Sequence, residues 1–280
     1  ARTMIDVRSS FVRWALLGLL GLSSSATTVA HAQDLVPGAY TPAPTGFYIF
    51  TIASTFNDGA VAFDSSLPVD DAEARVGWAF VGIGRTVGLA GRYTNIAVGV
   101  PLVLGHVEGR VLGVFQETSR TGLGELVARI GVNVYGAPAM TRQQFAAHRT
   151  KAIVGVSLSV GAPIGQYDPG RAINLGTNRW SFKPELGMSR IRGRWTFEGD
   201  IGAVFFTDNT EFLNDRRREQ APIVTFQGHL IYTIRPAFWI SADGNYWKGG
   251  GITTDGIGPR EEQRNSRLGL TLAVPVLSHQ

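Results

Sequence analysis

From Gly124 to Tyr135 the chain reads GELVARIGVNVY, with an apolar residue at every second position from Leu126 to Val134. Leu126, Ala128, Ile130, Val132 and Val134 fall on one side, and Glu125, Arg129, Gly131 and Asn133 on the other. A period of two separates these sets onto opposite faces of a β-strand, whereas a helix would scatter them around its axis. About ten residues is also what a tilted strand needs to cross the hydrocarbon core of a bilayer. KAIVGVSLSVG (151–161) repeats the pattern, setting Ala152, Val154, Val156, Leu158 and Val160 against Lys151, Gly155, Ser157 and Ser159. The same template predicts ten strands, at 46–56, 75–86, 94–104, 124–135, 151–161, 179–190, 194–206, 222–234, 238–248 and 263–275.

The run KPELGMSRIRGRWTFEGDIGAVFF (183–206) says which face meets what. Trp180, Phe182, Leu186 and Met188 share one side, and Arg179, Lys183, Glu185 and Ser189 the other. Past a turn at Arg192-Gly193, Trp195, Phe197, Ile201, Ala203 and Phe205 continue the apolar side, and Thr196, Glu198 and Asp200 the polar side. A charge facing lipid at mid-membrane costs about 2–4 kcal/mol, so the charges are expected in a wet interior and the apolar side chains against lipid. Trp180 and Trp195 sit where aromatic girdles belong. A soluble barrel of the lipocalin type, apolar face inward, alternates in the same way. It has fewer strands, and its one small cavity would not take so many large aromatics. The expected fold is all-β: a transmembrane antiparallel up-and-down β-barrel with about ten visible strands.

The connections support that topology. LAGR (89–92), RIRGR (190–194) and RPA (235–237) are short, while 57–74, 105–123, 162–178, 207–221 and 249–262 are long and polar. Outer-membrane barrels have short periplasmic turns and longer outer loops. If the first strand starts from the periplasm, every long link lies outside except 136–150, where Thr141 is placed to cap a short helix at the inner rim.

The start of the chain has the layout of an export signal. Arg2, Arg8 and Arg13 precede the uncharged WALLGLLGL (Trp14 to Leu22), and Ala30-His31-Ala32 fits a signal-peptidase site cleaved after Ala32. Residues 1–32 are read as the signal peptide, with Met4 a candidate true start, and 33–280 as the barrel. An N-terminal anchor is the alternative, although the apolar run covers only about half of a membrane-spanning helix. The segment's three Arg and Asp6 hold +2 of the formal +4, and the remaining +2 is too little to imply a nucleic-acid partner. The absence of cysteine excludes disulfides and thiolate chemistry. The 17% of charged residues is low against about 25% in soluble domains, and the chain is rich in Gly (35) and Phe (15).

The polar face supplies the candidate site residues: Arg129, Arg179, Lys183, Glu185, Glu198, Asp200, His229, Trp239, Asp243, Trp247 and Arg267. Glu185, Glu198 and Asp200 would be neighbours across the 190–194 turn. A glycosidase-like pair of carboxylates is one use for them. A charge cluster balanced by Lys183 and by Arg179, Arg129 or Arg267, setting the selectivity of a pore, is the other, and is preferred. Alternation puts Trp239 and Trp247 with Ser241, Asp243 and Asn245 in the interior, where they would contact a passing solute; a bulge would turn them to lipid. His106 and His148 fall in connections, and His229 has no identifiable nucleophilic Ser beside it. No pair of His has metal-ligand spacing, and GWAFVGIGRTVG (77–88) lacks a phosphate-loop pattern. No catalytic residue, metal or cofactor is therefore expected. Asp215-Arg216-Arg217-Arg218-Glu219 is an outer-loop cluster suited to lipopolysaccharide phosphates, or else a solvated loop tip.

Several runs also carry a resemblance: SRTGLGEL (119–126), GQYDPGRAINLGTNRWSFKPELG (165–187), FTDNTEF (206–212), HLIYTIRPAFWISADGNYWKGG (229–250) and QRNSRLGLTLAVP (263–275). In this order they resemble the outer-membrane barrel family labelled "putative MetA-pathway of phenol degradation". The resemblance implies a Gram-negative outer-membrane channel that admits small hydrophobic or aromatic compounds, not an enzyme that degrades them. Its implied partners are outer-membrane lipid and lipopolysaccharide, the barrel-assembly machinery and a small hydrophobic solute. Family members usually continue past the equivalent of Leu277-Ser278-His279-Gln280 with another strand pair ending near an aromatic residue. That departure implies a truncated barrel of about 12 strands, with a closed ten-stranded barrel as the alternative. A structural or adhesive barrel with a plugged lumen and working loops is the second functional reading.

Overall fold

The computed structural model of the protein describes residues 37–60, 69–111, 114–171, 173–258 and 262–274. Residues 1–32, read above as an export signal cleaved after Ala32, and the terminal residues 275–280 on which the truncation expectation rests, lie outside them.

The predicted alternation folds as ten long antiparallel strands in one curled sheet. In sheet order these are β1 (Tyr48–Ala60), β2 (Val69–Leu89), β3 (Arg92–Val111), β5 (Leu126–Tyr135), β6 (Ala152–Ala162), β7 (Ser181–Arg192), β8 (Trp195–Phe206), β11 (Ile223–Arg235), β12 (Phe238–Gly249) and β14 (Gln263–Ala273). Each of the ten pairs with the next along the chain, as up-and-down topology requires. Among the described residues β1 and β14 do not pair with each other, so the sheet is a half-barrel with two edges. Among them, too, no helix is long and apolar enough to cross a membrane.

The two faces differ as the pattern demands. Phe50, Ile83, Ile96, Ile130, Leu158, Leu186, Ile201, Phe226, Ile240 and Leu270 all point outward from the convex face and are exposed, and so is Leu268, by 82%. Polar residues such as Lys183, Thr225, His229, Asp243 and Asn245 are buried on the concave face. An exposed apolar surface running across ten strands far exceeds what a water-soluble monomer tolerates. The lipocalin-like alternative, with apolar residues inward, has the opposite phase.

Three two-residue turns close one rim, at Ala90-Gly91, Gly193-Arg194 and Pro236-Ala237. Ala90 and Gly91 both take positive φ (47° and 73°), the primed-turn geometry that matches strand twist. At the same rim lies α1 (Arg142–Ala147), capped by Thr141 in a capping box with Gln144. Trp195 packs on Tyr232 here (4.8 Å between centroids), and Trp180 stacks on Phe182 at the opposite rim (6.4 Å).

The long links differ from expectation. Residues 105–123 are not a loop: β3 runs on to Val111 and returns as β4 (Val114–Leu123), which pairs with it from Val111↔Val114 to Leu102↔Leu123. β4 and β5 are nearly one strand, interrupted at Gly124-Glu125. β1 and β2 likewise extend into 57–74. His106, expected in a connection, is therefore a strand residue. Where both faces of a hairpin meet water, backbone pairing needs no apolar alternation, so a period-two pattern of side chains does not mark these extensions. The links 207–221 and 249–262 also form a small sheet, in which β10 (Arg216–Gln220) pairs with β9 (Asn209–Phe212) and β13 (Ile252–Thr254).

Candidate functional site

Strand register lays the concave residues out in rows. Asn133, Gly155, Gly187, Asp200, Gln227, Asn245 and Arg267 are successive cross-strand partners from β5 to β14. One pleat toward the turn rim, Ser189, Glu198, His229 and Asp243 form the next row. One pleat the other way are Ser157, Glu185, Gly202, Thr225 and Trp247.

Two charge clusters occupy these rows. Lys183 Nζ donates to Glu185 Oε1 at 2.9 Å, both groups nearly buried, and Ser157 donates to the other oxygen at 3.3 Å. Asp243 is the second centre. Its Oδ1 lies 2.8 Å from His229 Nδ1 and accepts from Ser241 Oγ at 2.8 Å, and its Oδ2 accepts from Thr271 Oγ1 at 2.6 Å. This carboxylate ties β11, β12 and β14 together. The serine meets the carboxylate and not the imidazole, so Asp243 sits in the middle of the chain of contacts; nucleophilic catalysis needs the histidine there. Glu198 accepts from Ser189 Oγ at 3.0 Å.

The other candidate residues divide. β12 carries no bulge between Trp239 and Trp247, so both keep the phase of Ser241. Trp247 is buried against Val204 and Ile223. Arg129 and Arg267 lie on inward-phase positions of β5 and β14. Arg179 does not join the carboxylates. It sits at the loop rim, donating to Gln220 Oε1 with its guanidinium 4.4 Å from the Phe206 ring centre, and burial pushes its pKa down to about 10.

A segment without periodicity completes the site. Residues 37–47 precede β1 and cross the concave face. Tyr40 is buried, its hydroxyl 3.2 Å from Ser157 Oγ, its carbonyl accepting from Asn133 Nδ2 at 2.8 Å, and Arg129 5.5 Å from its ring centre. Gly38 N donates to Glu198 Oε2 at 2.6 Å. The ring lies against Gly155 and Gly187, where an added Cβ would come within 2.1 Å of it. Two glycines in register on the inward face are the one sequence signal that something large lies across them. Gly187→Ala is expected to expel Tyr40, seen as loss of its protection from nitration while the heat-modifiable fold on a gel persists. Unchanged protection would refute the packing account.

At the loop rim the acidic and basic side chains pair with each other. Thr177 N and Oγ1 donate to Glu125 Oε1 at 2.7 and 2.8 Å, and Asn209 Nδ2 donates to Tyr167 at 2.8 Å. Arg216 binds Asp255 (2.8 Å), Arg217 binds Asp208 through Nε (3.0 Å) and also Glu219 (3.0 Å), and Arg218 lies 4.7 Å from the Phe212 ring centre. The hydrogen bonds from Arg216 and from the Arg217 N–H hold the Asp255 carboxyl below its usual range. A depressed folded-state pKa gives an anchor complete above the ordinary aspartate value of 3.8 and lost as pH falls through the lower folded value. Asp255→Asn is accordingly expected to speed proteolysis between Leu213 and Arg217 at about pH 7 without changing strand content. The difference from the native chain should shrink as pH falls through the lower folded value and the native carboxylate is itself protonated.

His106, Glu108 and Glu117 bring three potential metal-ligand atoms within 4.8 Å of one another on the β3–β4 extension. Spacing along the chain does not reveal this group, because Glu117 arrives by cross-strand pairing with Glu108. His106 Nδ1 is 2.9 Å from Ser119 Oγ, and the group is partly exposed.

A family model described as "Putative MetA-pathway of phenol degradation" matches residues 38–276. The fold is similar to the crystal structure of an outer membrane channel from Pseudomonas putida F1. The TM-score is 0.65 at 19% identity, over 85% of this chain and 86% of that one. A search of the curated proteins gives no match.

Proposed function

Because the chain belongs to the family described as "Putative MetA-pathway of phenol degradation", we propose that it is an outer-membrane channel for passive uptake of small hydrophobic or aromatic compounds. One observation carries the reading: an apolar convex belt backs a concave face of buried charges and polar groups. Lipid accepts the first face and a hydrated path the second. In this reading Arg129, Lys183, Glu185, Glu198, Asp200, His229, Asp243 and Arg267 line the path. Trp239 and Trp247 give it aromatic surface, and Arg179 stands at its outer end. The likeness to a Pseudomonas channel fold supports it. Strand edges do not persist unpaired in a bilayer, so the ten strands are taken as part of a wall that closes around the path. No catalysis is assigned.

A structural barrel with a plugged interior is the second reading, and the passage of Gly38 to Phe47 across the concave face is what favours it. Planar-bilayer recording separates the two. The channel reading expects steady single-channel currents whose cation preference falls when Glu185, Glu198 and Asp200 are replaced by Asn or Gln. A folded, inserted protein that carries no current would favour the plug.

A further inference from the structure

We infer that the slot holding Tyr40 is a binding site for a phenolic solute, and that the segment from Gly38 to Phe47 is a tethered competitor for it. The inference rests on the channel reading and specifies the solute chemistry. Tyr40 presents a para-alkylated phenol, and the concave face receives it as one.

The receiving groups belong to the strands. Gly155 of β6 and Gly187 of β7 are register partners on the inward face, and the ring lies against the backbone they leave bare. At Gly155 the three nearest atoms to an added Cβ, at 2.1 to 2.9 Å, all belong to the Tyr40 ring. Interior strand glycines weaken a sheet and mark close approach of another group. Ser157 of β6 meets the phenol hydroxyl at 3.2 Å, and Arg129 of β5 offers its cation to the ring at 5.5 Å. None of these contacts depends on the rest of the segment, so β5, β6 and β7 keep the slot formed when Tyr40 leaves.

The segment is also divided in a way that lets one end leave. Its β1 end is tied by Thr45 N to Met140 O (2.8 Å), Gly46 N to Thr86 O (2.7 Å) and Phe47 N to Thr86 Oγ1 (2.9 Å). Pro44 belongs to that anchor, its carbonyl accepting from Thr86 Oγ1 at 2.7 Å, and between it and Tyr40 lie Thr41, Pro42 and Ala43. Beyond them, among the described residues, the segment is hydrogen-bonded to the wall through Tyr40 and through the single bond from Gly38 to Glu198. A short tether holds such a competitor at an effective concentration on the order of millimolar. A free phenol therefore binds weakly to the native chain and more strongly once the tethered ring is gone.

The test uses 4-methylphenol, with toluene as the analogue lacking the hydroxyl, on the refolded full chain and on Tyr40→Ala. The readout is the temperature at which the heat-modifiable fold is lost, which needs no flux. The inference expects 4-methylphenol to raise that temperature in Tyr40→Ala in a saturable way. Half-saturation should come at least tenfold lower than in the native chain, with toluene much less effective. Adding Gly155→Val should abolish the response by filling the slot. If Tyr40→Ala refolds poorly, its yield with 4-methylphenol is read instead, and rescue is expected. Equal responses of the two chains, equal responses to the two compounds, or no rescue would overturn the site. Binding without any measured flux would uphold the slot and remove the channel reading; flux without binding would do the reverse.

Discussion

Ile201→Arg is expected to destabilise the folded protein in liposomes by about 2–4 kcal/mol. Ile201 lies in the body of β8 on the convex face, and its register partners Leu186 and Phe226 are exposed apolar residues like itself. In a bilayer an arginine there loses its hydration or drags water and headgroups inward. On a water-facing surface the same change would cost no more than about 0.5 kcal/mol. Urea unfolding of vesicle-inserted protein, followed by tryptophan emission, gives the difference. Ile201→Ala controls for lost packing. A cost for arginine no larger than for alanine would mean that the convex face does not meet lipid.

Asp243→Ala should cost more, on the order of 3–5 kcal/mol. The carboxylate is buried and engages His229, Ser241 and Thr271 from three adjoining strands. Removing it leaves buried polar groups without partners, each costing about 1–3 kcal/mol. Asp243→Asn, which keeps the shape and part of the acceptor capacity, should fall between alanine and the native protein. A loss below about 0.5 kcal/mol for alanine would show that water already satisfies these groups and that the cluster is a hydrated surface.

The sheet is legible in the sequence because a membrane strand carries its environment in its side chains. Leu186 and Met188 against Lys183 and Glu185 state both faces of β7 by their order alone. The phase of Trp239 and Trp247 follows from the same count, needing only the absence of a bulge. Legibility ends where the environment becomes uniform. The β3–β4 extension and the β9, β10 and β13 sheet carry no apolar alternation, and backbone hydrogen bonds leave no trace in side-chain type. Arg179 keeps its inward phase but sits beyond the first residue of β7, so loop contacts with Gln220 and Phe206 decide its place. Tyr40 is invisible in the sequence for another reason. Its partners Asn133, Ser157 and Gly187 lie 93 to 147 positions away along the chain, and only the register brings them together.

The role proposed for the concave face is to pass small aromatic solutes. Uptake by liposomes containing the refolded protein, with folding confirmed by heat-dependent migration on a gel, tests it most directly. Small aromatic compounds are expected to enter faster than sugars of similar size, and faster than into protein-free vesicles. Equal rates with and without a demonstrably folded, inserted protein would contradict it.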